Sequence, residues 1–96
     1  MMIVVSYDIN IESEGGQKRL RRVAKTCQNF GQRVQNSVFE CLVDTGQLKI
    51  LQHKLQDIID PEKDSLRFYY LGNSWTTRVQ HFGAKKVVNM DDTLIL

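Results

Sequence analysis

The spacing of apolar positions changes along the chain, and each change marks an element. "MIVVSYDI" (2–9) is a continuous β-branched run, the pattern of a central strand, and it carries a carboxylate, Asp8, to the strand's end. "NIESEGG" follows as a polar loop. From Gln17 the period lengthens: Leu20, Val23, Ala24, Cys27 and Phe30 fall at i, i+3, i+4, i+7 and i+10, one face of a helix that Gly31 can end. Lys18, Arg22 and Lys25 lie opposite that stripe, with Arg19 and Arg21 flanking it.

"QRVQNSVFECLV" (32–43) returns to extended structure, with two short strands joined or kinked around Asn36 and Ser37, residues that favour turns and bulges. Asp44 then offers an N-cap with Gln47 three residues on, as in a capping box. Leu48, Leu51, Leu55, Ile58 and Ile59 form a second helical stripe, ending at Asp60-Pro61. "SLRFYYL" (65–71) alternates with period two and predicts a sheet strand. The connection "GNSWTTRVQHFG" receives no assignment; "AKKVV" and an apolar "TLIL" close the chain as a further strand or tail.

This order predicts an α+β fold, the ferredoxin-like β-α-β-β-α-β sandwich, as a single domain over 1–96 with two helices on one face of an antiparallel sheet. The other face would expose apolar side chains unless something covers it. A homodimer is the economical expectation.

Composition narrows the function classes. With 42% apolar and 25% charged residues in 96, the chain has ordinary globular composition and the length of one domain. Met1 to Val5 lacks the features of a signal peptide, and no stretch is long enough for a membrane span, so a cytoplasmic protein without membrane contact is expected. A net charge of +2 implies little by itself, but its distribution is uneven. Lys18, Arg19, Arg21, Arg22 and Lys25 cluster without an acid, whereas "DIIDPEKD" (57–64) is acidic. Cys27 and Cys41 have neither C-x-x-C spacing nor matching histidines, so they read as reduced core thiols. His53 and His81 have no ligand-like neighbours, and Gly15-Gly16 lacks the spacing of a dinucleotide fingerprint.

Taken together, "YDI" (7–9), "RRVAKTCQNFGQRVQNSVFE" (21–40), "DSLRFYYLG" (64–72) and "HFGAKKV" (81–87) give an end-to-end resemblance. The chain resembles the small CRISPR-associated adaptation proteins, the Cas-two family, and looks closest to members accompanying type I-C systems. The resemblance implies a ferredoxin-like homodimer that joins the Cas-one integrase in capturing DNA for spacer acquisition. It also implies a metal-dependent endonuclease, acting on double-stranded DNA or single-stranded RNA with Mg2+ as cofactor.

The family's strand-end aspartate falls on Asp8, which makes Asp8 the expected catalytic and metal-binding residue. Magnesium takes one or two carboxylates and otherwise waters and phosphate oxygens, and a twofold dimer would supply Asp8 twice. Ser37 and Phe39 match the "S-V-F" of the family motif: Ser37 is the second catalytic candidate, and Phe39, with Tyr7, a candidate for stacking on a base, with core packing as the alternative and commoner role of both rings. Strand alternation points Tyr7 away from Asp8. Lys18, Arg19, Arg22, Lys25 and Arg33 are the expected nucleic-acid-binding residues, meeting phosphates without reading bases. The leading expectation is a DNA-binding adaptation protein, with a free-standing endonuclease as the alternative and a ferredoxin-like regulatory module a distant third.

Overall fold

In the computed structural model, residues 1–80 and 82 are described. The elements run β1 (Met2–Asp8), α1 (Gly16–Gln28), β2 (Gln32–Gln35), β3 (Val38–Leu42), α2 (Thr45–Ile58) and β4 (Ser65–Gly72), followed by a 3-10 turn at Trp75–Thr77. The strands form one sheet in the order β2-β3-β1-β4, every neighbouring pair antiparallel. This is the ferredoxin-like arrangement expected from the sequence, with the continuous apolar strand β1 in the interior. The "AKKVV" and "TLIL" segments lie outside the described residues.

Both helices cover the same sheet face. Ile3, Val5 and Tyr7 of β1 and Phe39 and Cys41 of β3 join Val23 and Cys27 of α1 and Leu48, Leu51 and Leu55 of α2 in one core cluster. The register explains the match: Ile3 pairs with Cys41 and Val5 with Phe39, so these side chains share the covered face. Their neighbours Val4, Ser6, Asp8, Val38 and Glu40 therefore project to the side without helices.

Local chemistry sets the helix ends. Asp44 Oδ1 accepts from the Gln47 amide at 2.7 Å and Gln47 Oε1 accepts from the Asp44 amide at 2.9 Å, the capping box read from the sequence. α1 has no side-chain cap and starts instead from Gly15, whose φ of 74° is left-handed. Gly31 acts differently from expectation. Its backbone is not left-handed, and it is required because a Cβ there would overlap the Glu40 carbonyl oxygen and the Cys41 side chain.

Between β2 and β3 the turn falls on Asn36 and Ser37 as expected, and the pairing slips between Arg33 and Gln35. Cys27 and Cys41 are free and fully buried, and burial pushes both thiols up to about 12. No helix among the described residues is long and apolar enough to cross a membrane.

Two glycines give opposite predictions. Gly31→Ala should destabilise the protein by about 1–3 kcal/mol, because backbone cannot yield to the new methyl group. Gly46→Ala, in the first turn of α2 where a Cβ would meet only Asp44 Oδ1 at 3.5 Å, should stabilise it by about 0.5–1 kcal/mol. Urea denaturation of the two variants checks the sign of each.

Candidate functional site

β1 ends because its apolar run ends, and the chain turns sharply after Asp8. Asn10 makes that turn: its Oδ1 accepts from the Glu12 amide at 3.1 Å and its carbonyl from the Ser13 amide at 3.2 Å. Gly16 then packs so closely against Asn10 and Ile11 that any Cβ would overlap the Asn10 carbonyl. Asp8 is left exposed at the strand's end, where it lines a cleft of about 430 Å³ with Asn10, Ile11, Glu12 and Lys63.

A buried carboxylate from another part of the chain holds this end together. Asp64, with no exposed side-chain surface, accepts from the Asn10 amide at 3.0 Å, the Asp60 amide at 2.8 Å and Arg19 Nε at 2.8 Å. Arg19 Nη2 adds a bond to Oδ1 at 3.2 Å, and further donates to Ser13 Oγ at 2.6 Å. One side chain thus joins the loop after β1, the first turns of α1 and the loop before β4. Burial by itself would raise the Asp64 carboxyl; the hydrogen bonds from Arg19, Asp60 and Asn10 outweigh it and hold the group at about 2.

Ser37 stands at the same end of the sheet. Its carbonyl accepts from the Tyr7 amide at 3.1 Å, so the β2–β3 turn is fastened to β1 one residue before Asp8. The fold therefore places Ser37 at the same end of the sheet as Asp8, although Ser37 is not among the residues that line the Asp8 cleft.

Three expectations need correction. Tyr7 and Phe39 are buried, with 4% and 0% of their surface exposed, so neither ring is open to a base. They lie against each other instead, centroids 6.2 Å apart and planes at 23°, and burial pushes the Tyr7 phenol up, with Arg33 opposing the shift. Arg19, expected to meet phosphate, is turned inward: its charge is balanced by Asp64 and most of its side chain is covered.

The remaining basic candidates are exposed. Lys18, Arg22 and Lys25 follow one face of α1, and Arg33 lies over the Phe39 ring at 5.2 Å while staying open to solvent. Arg22 and Lys25 also line a depression between the helices, of about 480 Å³, with Asn29 and with Lys54 and Asp57 of α2. Lys54 was not anticipated, because nothing in the sequence says which residues of α2 face α1.

Among the described residues no group of three or more His, Cys, Asp or Glu side chains is placed to hold a metal ion. What one chain offers is an exposed Asp8 with Glu12 on the same cleft, a hard-oxygen set of the kind that magnesium completes with water and phosphate oxygens.

A family model described as CRISPR associated protein Cas2 matches residues 1–79. The chain belongs to the Cas2 family. Its relatives include proteins named CRISPR-associated endonuclease Cas2 from Halalkalibacterium halodurans, 57% identical over 99% of both chains, and CRISPR-associated endoribonuclease Cas2 from Chlorobaculum tepidum, 56% identical over the whole of both. Among solved structures, Streptococcus pyogenes Cas2 at pH 6.5 superposes with a TM-score of 0.75 at 53% identity, covering 86% of this chain and 100% of that one. In this Cas2 chain the strand-end aspartate of the resemblance is the exposed Asp8, and the basic helix keeps four exposed cations, Lys18, Arg21, Arg22 and Lys25, after Arg19 is withdrawn.

Acid stability tests the Asp64 junction of this Cas2 chain. A carboxyl held below its ordinary value of 3.8 contributes stability that is fully present above about pH 4 and is lost as pH falls towards about 2. Asp64→Asn should lower stability at neutral pH by about 3 kcal/mol, because it leaves Arg19 without its partner. It should also flatten the acid limb between those two pH values; urea midpoints across that range measure both effects.

Proposed function

We propose that the protein is the homodimeric, DNA-binding component of CRISPR adaptation, acting with the Cas-one integrase in spacer acquisition in a type I-C system. It also hydrolyses phosphodiester bonds in a magnesium-dependent reaction centred on Asp8. The observation that supports this most is the exposed carboxylate of Asp8 at the end of a fastened strand, in a cleft that it shares with Glu12.

The helix-free face supports the dimer. Val4, Val38 and Leu42 are only half-buried there and Tyr69 is exposed, while Glu40 is buried with Oε1 lacking any hydrogen-bond partner among the described residues. A second copy covering this face would remove apolar surface from water and bring a second Asp8 towards the twofold axis. Asp8, alone or as a pair, with Glu12 beside it, would hold the ion. When bound, the ion supplies Lewis acidity at the phosphate and lowers the pKa of a water. Asp8 holds and orients, and Ser37 closes the same end of the sheet. Lys18, Arg22, Lys25 and Lys54 supply phosphate contacts on the helix side, with Arg33 beside them, and these act on nucleic acid of any sequence.

The names of the relatives, endonuclease and endoribonuclease, favour a second reading in which the protein is a free-standing nuclease on DNA or single-stranded RNA. Asp8→Asn separates the two. Hydrolysis in vitro should fall by more than the roughly 10–100-fold that loss of an outer-shell metal partner costs, with EDTA giving the same loss. Spacer acquisition in cells should persist; its abolition by Asp8→Asn would favour the nuclease reading. Sedimentation should give twice the mass of one chain, and a monomer would remove the paired Asp8 site.

A further inference from the structure

Among the described residues the cleft at Asp8 contains one cation, and its position has a structural cause. Lys63 is the only basic one among the described residues that line the cleft, and it is exposed. It comes from the loop before β4, 55 residues after Asp8, and its neighbour Asp64 is bonded to the Asn10 amide at 3.0 Å. Its own amide donates to the Asp60 carbonyl at 3.0 Å, and the Asp64 amide to the same oxygen at 2.8 Å. The loop carrying Lys63 is therefore fixed to the loop carrying Asn10, while the Lys63 side chain is exposed.

Within that cleft Lys63 faces two acids, Asp8 and Glu12, yet it forms no ion pair within 4.0 Å among the described residues. We propose that Lys63 is the phosphate-binding cation of this site, holding the phosphodiester that Asp8 and its metal ion address. The inference rests on the reading of Asp8 given above.

Charge balance is the reason. Counted for the cleft of one protomer, with its Asp8 acting alone and one ion per cleft, Asp8, Glu12 and Lys63 together carry one net negative charge. A divalent ion turns this into one positive charge, which a single phosphodiester neutralises. Without Lys63 the ion-loaded cleft would already be neutral, and the substrate would leave it negative. An ammonium on a flexible four-carbon stem, carried by a fastened loop, suits this task because it can reach a phosphate over a range of positions. It is a phosphate-binding residue and takes no proton in the reaction.

The test compares Lys63→Gln, Lys63→Arg and, as a control, Lys49→Gln on the outer surface of α2. Binding of a short fluorescent single strand is measured in EDTA over a range of salt, and hydrolysis is measured with magnesium. Lys63→Gln should weaken binding, reduce the slope of log K against log salt by about 0.7 per protomer, and raise KM about 10-fold with little change in kcat. Lys63→Arg should restore binding, and Lys49→Gln should change neither quantity. An unchanged slope and KM in Lys63→Gln would overturn the inference while leaving the reading of Asp8 intact if Asp8→Asn is inactive. Full hydrolysis by Asp8→Asn would overturn that reading instead, and the binding measurements in EDTA still decide the role of Lys63.

Discussion

The Asp64 carboxylate is the constraint on which this end of the molecule depends. A ferredoxin-like sheet fixes its strands by ladder hydrogen bonds, but the loops leaving them have no such ladder. Here the loop after β1 and the loop before β4 are adjacent because β1 and β4 are neighbours, and Asp8 pairs with Ser65. Asp64 uses that adjacency: it accepts from backbone amides of both loops and neutralises Arg19 at the start of α1. A buried charge without such partners would be costly, so these bonds form together or the loops separate. Gly16 adds a steric constraint, bringing the helix start against the Asn10 carbonyl.

That constraint also shows what the sequence could and could not reveal. The strands and helices were legible because their signals are local: the run at 2–9, the two 3.6-residue stripes, the capping box and the alternation at 65–71 each lie within one element. Asp8 was legible as the polar end of an apolar strand. Arg19 was not, because on the helical wheel it flanks the stripe like Arg21, and its partner lies 45 residues away. Asp64 and Lys63 looked like members of a solvated acidic run, and nothing local distinguishes the buried acid from the exposed ones. Tyr7 and Phe39 were ambiguous because a strand aromatic can face either side, and register decides: Val5 opposite Phe39 places that ring under the helices.

Glu40 is the one buried side chain that the described residues leave incompletely satisfied. It sits between Phe39 and Cys41, both under the helices, and so faces the opposite side, level with Val4 and Gln32. Burial raises its carboxyl above the ordinary carboxylate value. A residue of this kind does little for the stability of a lone subunit. Its place on the face without helices agrees with the proposed dimer, in which a donor from the covering copy would complete its hydrogen bonding.

The two chemistries proposed for the protein occupy different sides of one sheet. Asp8 projects with Val4 and Ser6 to the helix-free side, whereas Lys18, Arg22 and Lys25 lie on the outer surface of α1. The helix begins against Asn10 and runs back across the sheet to Gly31, which rests on Cys41, the partner of Ile3 near the start of β1. Over 13 residues this is about 20 Å, so the three cations lie at increasing distances from the Asp8 end. A polynucleotide held along the helix is thus not forced to pass the carboxylate. Binding and hydrolysis have separate structural requirements: the first needs an exposed basic face, which any solvated helix can keep, and the second needs the fastened loops around Asp64. Loss of the second leaves the cations of α1 in place, and the geometry therefore permits a chain of this fold to retain binding along the helix after hydrolysis has gone.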